Sequence, residues 1–330
     1  MLGNLVNVQD LGRVVEKVRQ GYGSRLLSTF RPAAADRVRA AWEETERQPR
    51  DWWSVPAVRA RWNRLITGDA ELDPVTYVAA SHLPPEGELV GLSLGCGTGR
   101  KEVRWVQTGR FSRFDAYDIS EPLVRDARRH AEAEGCADVL TFDVADVHAL
   151  DLAPAAYDFV LLDSALHHFA PIAPVLDRIA ATMKPGGLLV LRDFVGPSRF
   201  QWTDRQMEAV EGLLAVLPER YRTRWGSGSV KRRAYKPGRL TLRLSDPSEA
   251  AESARILPEL RRRFAEVECS GFGGTILHPL LHDIAHHFHA DDDDAAARYL
   301  DVCFEAEDAL LASGDLTSDF VFAVFEKPAR

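Results

Sequence analysis

Three glycines alternate with other residues directly after a short apolar run. The run LVGLSL ends at residue 94, and Gly95, Gly97 and Gly99 follow before the helix-competent stretch RKEVRWVQ. A glycine loop between a strand and a helix lets the backbone approach a ligand closely and directs helix N–H groups at its polar part. The dinucleotide fingerprint places its third glycine one position later, where this chain has Arg100. The spacing therefore does not favour NAD.

An acidic residue lies 19 positions beyond Gly99. Asp118 ends the second predicted strand, in FDAYDIS, where a carboxylate can accept hydrogen bonds from both hydroxyls of an adenosine ribose. Ser120 and Pro122 then supply a cap and an early-turn proline for the next helix. The glycine loop, the strand and the acid thus agree on a ligand that carries a ribose.

Two adjacent histidines follow the fourth predicted strand, YDFVLLD. Ligands in open α/β sheets bind at the carboxyl ends of the strands, so His167 and His168 are placed where a general base would lie. Imidazole titrates near neutral pH, which suits that role. The alternative is that one of the two is structural or contacts a cofactor.

A second group of histidines lies near the C-terminus and is followed by Asp291 to Asp294. In a continuous helix their spacing of i, i+4, i+8 and i+11 would form one stripe: His278, His282, His286 and His289. Imidazoles and carboxylates are common metal ligands. The alternative is the polar shoulder of a helix whose apolar face contains Leu277 and Leu281. No residue is assigned as a metal ligand.

A basic cluster interrupts the acidic sequence between Arg220 and Arg239. Three aromatic residues are interleaved with it, and its basic members are Arg220, Arg222, Arg224, Lys231, Arg232, Arg233, Lys236 and Arg239. Such a cluster could bind a phosphate or steer an anionic substrate. The alternative is a solvated charged loop. The net charge of −8 disfavours nucleic acid.

Short apolar runs alternate with helix-length stretches between residues 88 and 195. The runs are LVGLSL, FDAYDI, VLTFDV, YDFVLLD and GGLLVLRDFV. This alternation predicts βαβ units and a parallel sheet. Two late strands, FAEVEC (264–269) and DFVFAVFEKP (319–328), bring the number to seven. We therefore predict an α/β fold: a Rossmann-like, seven-stranded, mostly parallel sheet with helices on both faces.

Breaks in these patterns divide the chain into four segments. Residues 1–85 form a predicted helical N-terminal cap that ends at Pro84 and Pro85, and residues 86–196 form the ligand-binding core. Residues 197–263 are predicted to be a mainly helical lid insertion. Residues 264–330 carry the last two strands with a His-rich helical insertion between them.

Five sequence pieces between residues 88 and 195 resemble the class I methyltransferases that depend on S-adenosylmethionine. They are LSLGCGTG, YDIS, DVADVHAL, YDFVLLDSALHHF and MKPGGLLVL, in the expected order. The resemblance implies that the glycine loop flanks the methionine moiety, that Asp118 holds the ribose and that Asp146 meets the adenine amine, with Asp143 as a rival. The implied cofactor residues are Gly95, Cys96, Gly97, Gly99, Asp118, Ile119, Asp146, Val147 and Ser164.

A longer connection after the fifth strand is similar to that of a bacterial small-molecule subgroup with a VGPSRFQW insertion. The cap and the insertion would lie over the strand ends as a lid. Its candidate acceptor contacts are Trp53, Trp62, Arg199 and Trp202. The alternative is that these aromatic residues only join the lid to the core.

The expected reaction is methyl transfer from S-adenosylmethionine to oxygen or nitrogen of a small molecule, with S-adenosylhomocysteine as product. The acceptor would be a secondary metabolite, a glycan or a nucleotide-linked sugar. His167 or His168 would take the proton, or proximity alone would suffice. Two other functions stay open: a non-methylating use of the cofactor, and a non-catalytic partner subunit that retains the fold.

Composition limits the remaining classes. With 330 residues, 45% hydrophobic and 27% charged, the chain can bury a large core. The four cysteines show no CxxC spacing, which disfavours a disulfide framework or a zinc knuckle. No apolar run is long enough for a membrane span. We therefore expect a cytoplasmic protein with no membrane contact, and the insertions offer surfaces for a homodimer.

Overall fold

The computed structural model describes residues 51–85, 88–289 and 293–329. The helices predicted before residue 51, and Asp291 and Asp292 of the acidic run, lie outside these ranges. Between residues 51 and 85, two α-helices precede the sheet, α1 (Pro56–Thr67) and α2 (Pro74–Ser81). The elements from the first strand to the fifth are β1 (Leu89–Leu94), α3 (Arg100–Val106), β2 (Phe111–Asp118), α4 (Glu121–Ala133), β3 (Leu140–Val144), β4 (Tyr157–Asp163), α5 (Ile172–Thr182) and β5 (Met183–Phe194).

The C-terminal part adds helices around two further strands. In chain order its elements are α6 (Asp204–Val216), α7 (Arg239–Ser245), α8 (Ile256–Arg261), β6 (Ala265–Gly273), α9 (Leu277–Leu281), α10 (Asp294–Ala312) and β7 (Phe320–Glu326). The strand predicted at 264–269 is present and continues to Gly273. No helix in the described ranges is long and apolar enough to cross a membrane.

Local sequence explains where several helices begin. Asp73 precedes α2, and its carboxylate accepts hydrogen bonds from the backbone N–H groups of Val75 and Thr76. Thr203 and Gln206 form a reciprocal capping box at the start of α6. Such caps pair N–H groups that have no partner within the helix. These boundaries are therefore set by residues next to them in the chain.

The sheet has seven strands in the order β3-β2-β1-β4-β5-β7-β6. The five strands β1 to β5 pair in parallel, whereas β7 runs antiparallel to both β5 and β6. The predicted α/β fold with a seven-stranded, mostly parallel sheet is confirmed. The strand order reverses between β1 and β4, and ligands of such sheets bind in the crevice beyond the strand ends at this switch point.

Apolar side chains cover both faces of the sheet. On one face, Trp105 of α3 and Ala127 of α4 pack with Phe114 of β2. On the other face, Leu176 of α5 and Leu260 of α8 pack against the sheet. Strands covered on both faces are expected to be nearly continuous in apolar residues, as β1 and β4 are. Helices therefore cover the two faces of the sheet, and the carboxyl ends of its parallel strands are left for a site.

A third core joins α1 and the residues just before it to helices of the C-terminal part of the chain. It contains Trp52, Val58 of α1, Leu214 of α6, Leu280 of α9 and Leu300 of α10. Burial of such side chains contributes about 1.5–3 kcal/mol each to folding. Trp52 and α1 are therefore held to α6, α9 and α10 by one apolar cluster.

The predicted continuous His-rich helix is wrong. The helix α9 ends at Leu281, and His282 has an extended ψ of 129°. The buried Lys231 Nζ donates to the backbone carbonyls of Pro279, Leu280 and His282 at 2.8, 2.9 and 2.6 Å. A continued helix would pair those carbonyls with its own N–H groups, so the ammonium ends the helix in their place.

The four histidines consequently do not form one stripe. His278 packs against Trp52, Phe320 and Trp202, and desolvation by these neighbours lowers its pKa to about 3. His289 lies instead on the other side of the break, where its Nε2 is 2.8 Å from Ser54 Oγ.

Several members of the basic cluster hold the lid together. Besides Lys231, Arg224 pairs with Asp283 at 3.0 Å and Lys236 pairs with Asp204 at 2.6 Å. These cations therefore have structural partners within the chain.

Candidate functional site

The glycine loop between β1 and α3 needs glycine at each alternate position. Gly95, Gly97 and Gly99 have positive φ angles of 75°, 57° and 70°, which glycine adopts without steric cost. A Cβ on Gly95 would lie 2.7 Å from the Cβ of Ala165, and one on Gly99 would lie 2.5 Å from the Phe142 ring. A Cβ on Gly97 would meet nothing within 4 Å. Gly97 therefore opens the loop to a ligand, and the other two allow close packing.

Asp118 fastens this loop to the end of β2. Its Oδ2 accepts the backbone N–H of Gly97 at 2.8 Å, and its Oδ1 accepts that of Ser120 at 2.9 Å. Burial raises the pKa of Asp118, although these N–H groups act in the opposite direction. Each carboxylate oxygen has a second lone pair. Asp118 can therefore hold the loop and still accept hydrogen bonds from a ligand.

A cavity of about 380 Å³ lies over the ends of β1, β2 and β4. This volume is in the range of small-molecule sites. Of the predicted cofactor residues, all except Gly99 line it, and Gly99 packs beneath the loop. Residues from the loop, the strand ends and the lid contribute, namely Gly95, Cys96, Gly97, Lys101, Tyr117, Asp118, Ile119, Asp146, Val147, Ser164, Ala165, His168, Phe169, Pro247 and Ser248.

The two acids after β3 have different surroundings. Asp146 lines the cavity, and its Oδ1 accepts the backbone N–H of His148 at 2.8 Å. Asp143 pairs at 3.0 Å with Arg128 in an exposed ion pair. Asp146 therefore lies at the cavity, whereas Asp143 lies at the surface.

Asp193, at the end of β5, organises the turn that carries the two histidines. Its Oδ2 accepts the backbone N–H groups of Ala165, Leu166 and His167 at 3.3, 2.8 and 3.3 Å. Its Oδ1 accepts from Phe194 N at 2.7 Å and bonds to Nδ1 of His167. Sequence reasoning missed this residue, although an acid at a strand end in LRDF was a signal.

The two imidazoles have opposite electrostatic environments. Burial lowers the pKa of His167, but the carboxylates of Asp193, Glu249 and Asp246 outweigh it, so the net pKa is raised. Burial lowers the pKa of His168 well below its usual value, and His167 adds to this effect. His167 thus has the carboxylate partner that orients a base, whereas His168 is neutral and lines the cavity.

A lid loop, residues 246–250, lies over the histidines. Glu249 Oε1 is 3.7 Å from Nε2 of His167, and Ser248 Oγ is 3.3 Å from Nδ1 of His168. Burial raises the pKa of Glu249 to about 7, against the lowering effect of His167. Nothing in the sequence marked these lid residues, because they are far from His167 along the chain.

The four residues predicted to contact the acceptor lie in different surroundings. Arg199 N donates to Ala250 O at 2.6 Å, which places it beside the lid loop. The ring of Trp62 is 4.8 Å from that of Trp52, and Trp202 is stacked on Phe200. Trp53 is 47% exposed. Trp53, Trp62 and Trp202 are not among the residues that line the cavity. Trp62 and Trp202 pack instead among other aromatic residues.

Glu102 lies buried beneath the glycine loop. Its Oε1 accepts from Ser93 Oγ at 2.8 Å, and burial raises its pKa from 4.5 to about 7 although Lys101 lowers it. Since the folded-state pKa is the higher one, this group stabilises the fold at low pH, and the stabilisation is lost as pH rises through about 7. We expect the unfolding free energy to fall by about 2 kcal/mol between roughly pH 5.5 and 8 through this residue.

Urea denaturation of Glu102→Gln at the two pH values measures this effect. The variant is expected to lose that part of the pH dependence, since its amide does not titrate. Glu132→Gln, at an exposed position of α4, is the control and should behave as the parent protein. Equal pH dependence in Glu102→Gln and the parent would contradict the assignment.

Comparison with known proteins finds a similarity over the part of the chain that contains the site. A profile described as a methyltransferase domain matches residues 92–191. An uncharacterized methyltransferase of Mycobacterium bovis is 33% identical over 138 residues, which are 42% of this chain and 62% of that protein. The 27-O-demethylrifamycin SV methyltransferase of Amycolatopsis mediterranei is 30% identical over 130 residues, 38% of this chain and 47% of that protein. The erythromycin 3''-O-methyltransferase of Saccharopolyspora erythraea is 32% identical over 111 residues, 33% and 36% of the two chains.

The chain thus spans 62% or less of the length of these relatives. The matched segment contains β1 from Leu92 onward and most of β5, with the glycine loop, Asp118 and the histidine turn between them. The alternating glycines and the acid that ends β2 are the features expected of the matched family. Residues 92–191 are therefore similar to a methyltransferase domain, and they lie on the parallel part of the seven-stranded sheet.

Proposed function

We propose that the protein transfers a methyl group from S-adenosylmethionine to an oxygen or nitrogen of a small-molecule acceptor and releases S-adenosylhomocysteine. The observation that carries the proposal is the cavity over Gly97 and Asp118, which has His168 on its wall and His167 beside it. The bound cofactor supplies a methyl group on a positively charged sulfur, which is a good leaving group. The chain has to orient the acceptor and receive its proton.

The cavity residues fit the cofactor. Asp118 would accept from the ribose hydroxyls, and Asp146 would meet the adenine amine. Ile119 and Val147 supply apolar surface for the base. Lys101, whose ammonium pairs with Asp163 at 3.4 Å, also lines the cavity and would attract the methionine carboxylate.

His167 is our choice for the general base. Asp193 holds Nδ1, so Nε2 is the atom that receives the acceptor proton, and the carboxylate stabilises the resulting imidazolium. This arrangement follows the logic of a base oriented by a buried acid. His168 instead lines the cofactor cavity.

The surroundings of His167 favour a neutral, hydroxyl-bearing acceptor. Asp193, Asp246 and Glu249 all influence this imidazole, and this acidic environment opposes a phosphorylated acceptor. Two relatives are named for O-methyl positions, a 27-O-demethylrifamycin SV methyltransferase and an erythromycin 3''-O-methyltransferase. We therefore favour a hydroxyl of a secondary metabolite over a nucleotide-linked sugar. The VGPSRFQW subgroup, the four-segment division, the cytoplasmic location and a homodimer stay predictions.

Calorimetric titration with S-adenosylhomocysteine tests the proposal. We expect micromolar binding, about −8 kcal/mol. Asp118→Ala should weaken it about 100-fold, because two hydrogen bonds to a charged group are lost. The matched control is Asp143→Ala, which removes a nearby acid that does not line the cavity and should leave the affinity unchanged. Absence of binding by the parent protein would sink the catalytic proposal and favour a partner subunit.

A further inference from the structure

Two imidazoles and one carboxylate meet where the lid loop covers the histidine turn. One ligand atom from each of His167, His168 and Glu249 lies within 4.8 Å of the other two. The two rings have centroids 3.9 Å apart, and the carboxylate approaches Nε2 of His167 at 3.7 Å. These atoms come from two parts of the fold, the turn after β4 and the lid.

Both rings are already held by a second group. Asp193 bonds to Nδ1 of His167, and Ser248 Oγ lies 3.3 Å from Nδ1 of His168. Histidines that bind metals almost always have one ring nitrogen held by a carboxylate, a carbonyl or a water, which fixes the ring and leaves the other nitrogen to coordinate. His167 therefore presents Nε2 towards Glu249, and His168 contributes one ring nitrogen to the same group of ligand atoms.

We propose that His167, His168 and Glu249 bind one divalent transition-metal ion. Two imidazole nitrogens and one carboxylate oxygen form a donor set that suits Zn²⁺, Fe²⁺, Co²⁺ or Ni²⁺. Magnesium and calcium prefer sites made mainly of oxygen ligands. The three protein ligands leave at least one coordination position for water.

The ion would join the lid to the core, because Glu249 belongs to the lid and the histidines belong to the turn after β4. It would also occupy Nε2 of His167, the atom that receives the proton. This consequence rests on the proposed function: Zn²⁺ is expected to inhibit methyl transfer, and a chelator is expected to restore it. Metal binding itself does not depend on the reaction.

Titration of the chelator-treated protein with Zn²⁺ tests the site by calorimetry. We expect one ion per chain, and Glu249→Gln should weaken binding at least about 10-fold. The control is His282→Ala/His286→Ala, which removes two histidines of the predicted stripe and should retain the ion. Titration with Mg²⁺ is expected to give no comparable heat.

Binding of S-adenosylhomocysteine, measured in the same samples, separates the two proposals. A protein that binds this product but no Zn²⁺, or a Glu249→Gln variant that binds Zn²⁺ as tightly as the parent, would overturn the metal site. Loss of Zn²⁺ from Glu249→Gln with unchanged product binding supports it, since the variant is then folded. A protein that binds Zn²⁺ but not S-adenosylhomocysteine would support the metal site and contradict the proposed function.

Discussion

Replacing His167 by alanine is expected to lower kcat of methyl transfer by about 10²–10⁴-fold, the range for general acid–base catalysis. The affinity for S-adenosylhomocysteine should stay unchanged, because His167 is not among the residues that line the cofactor cavity. Single-turnover kinetics with a hydroxylated acceptor, together with calorimetry on the product, measure the two quantities. A variant within about 5-fold of the parent rate would show that proximity alone supports transfer.

The pH profile supplies an independent check of the same role. A general base must be neutral, and the carboxylates around His167 raise its pKa. The rate should therefore rise with pH through that raised pKa. Glu249→Gln removes one of the carboxylates, so the acid limb should move to lower pH. A chelator is present throughout, and an unmoved limb would contradict the assignment.

Removing the carboxylate of Glu307 is expected to destabilise the protein by about 3–5 kcal/mol, the usual cost of breaking a buried ion pair. Glu307 of α10 is fully buried and lies 3.1 Å from Nη1 of Arg61 in α1. It also accepts backbone N–H groups of Gly274, Ile276 and Leu277 at 3.2, 3.0 and 3.2 Å. Glu307→Ala would leave a buried guanidinium and three N–H groups without this partner.

Urea denaturation of Glu307→Ala measures the loss of stability. The control is Asp315→Ala, which breaks the half-exposed pair between Asp315 and Arg205 at 2.8 Å. Exposed pairs contribute about 0–1 kcal/mol, so this variant should remain close to the parent. Equal effects of the two substitutions would show that Glu307 does not hold α1 and α10 to the loop before α9.

Local sequence was sufficient to predict the glycine loop and the position of Asp118 beside it. A strand, an alternating glycine loop and a helix follow one another within one short segment, from Leu89 to Val106. The requirement for positive φ is a property of each glycine itself. Asp118 ends the next strand, and adjacent parallel strands bring their ends together. The order of elements therefore predicted where the acid would meet the loop.

Tertiary packing decided the features that depend on distant partners. The helix that contains His278 ends at Leu281 because Lys231, far earlier in the chain, supplies a buried ammonium to its last carbonyls. Helical periodicity describes only neighbours along the chain, so it could not show this contact. Trp62 and Trp202 were ambiguous for the same reason, since an aromatic ring suits a binding site and a core equally well.

The arrangement of groups around the two histidines also depends on the assembled sheet and on residues 246–250. The sequence by itself placed His167 and His168 at a strand end, but it could not rank them. Asp193 reaches His167 because β4 and β5 are adjacent in the sheet, and Glu249 reaches it because the lid folds back over the strand ends. Electrostatic coupling acts through space over a few ångströms. Local sequence therefore determined the fold class and the cofactor loop, whereas tertiary structure decided which histidine has the properties of a base.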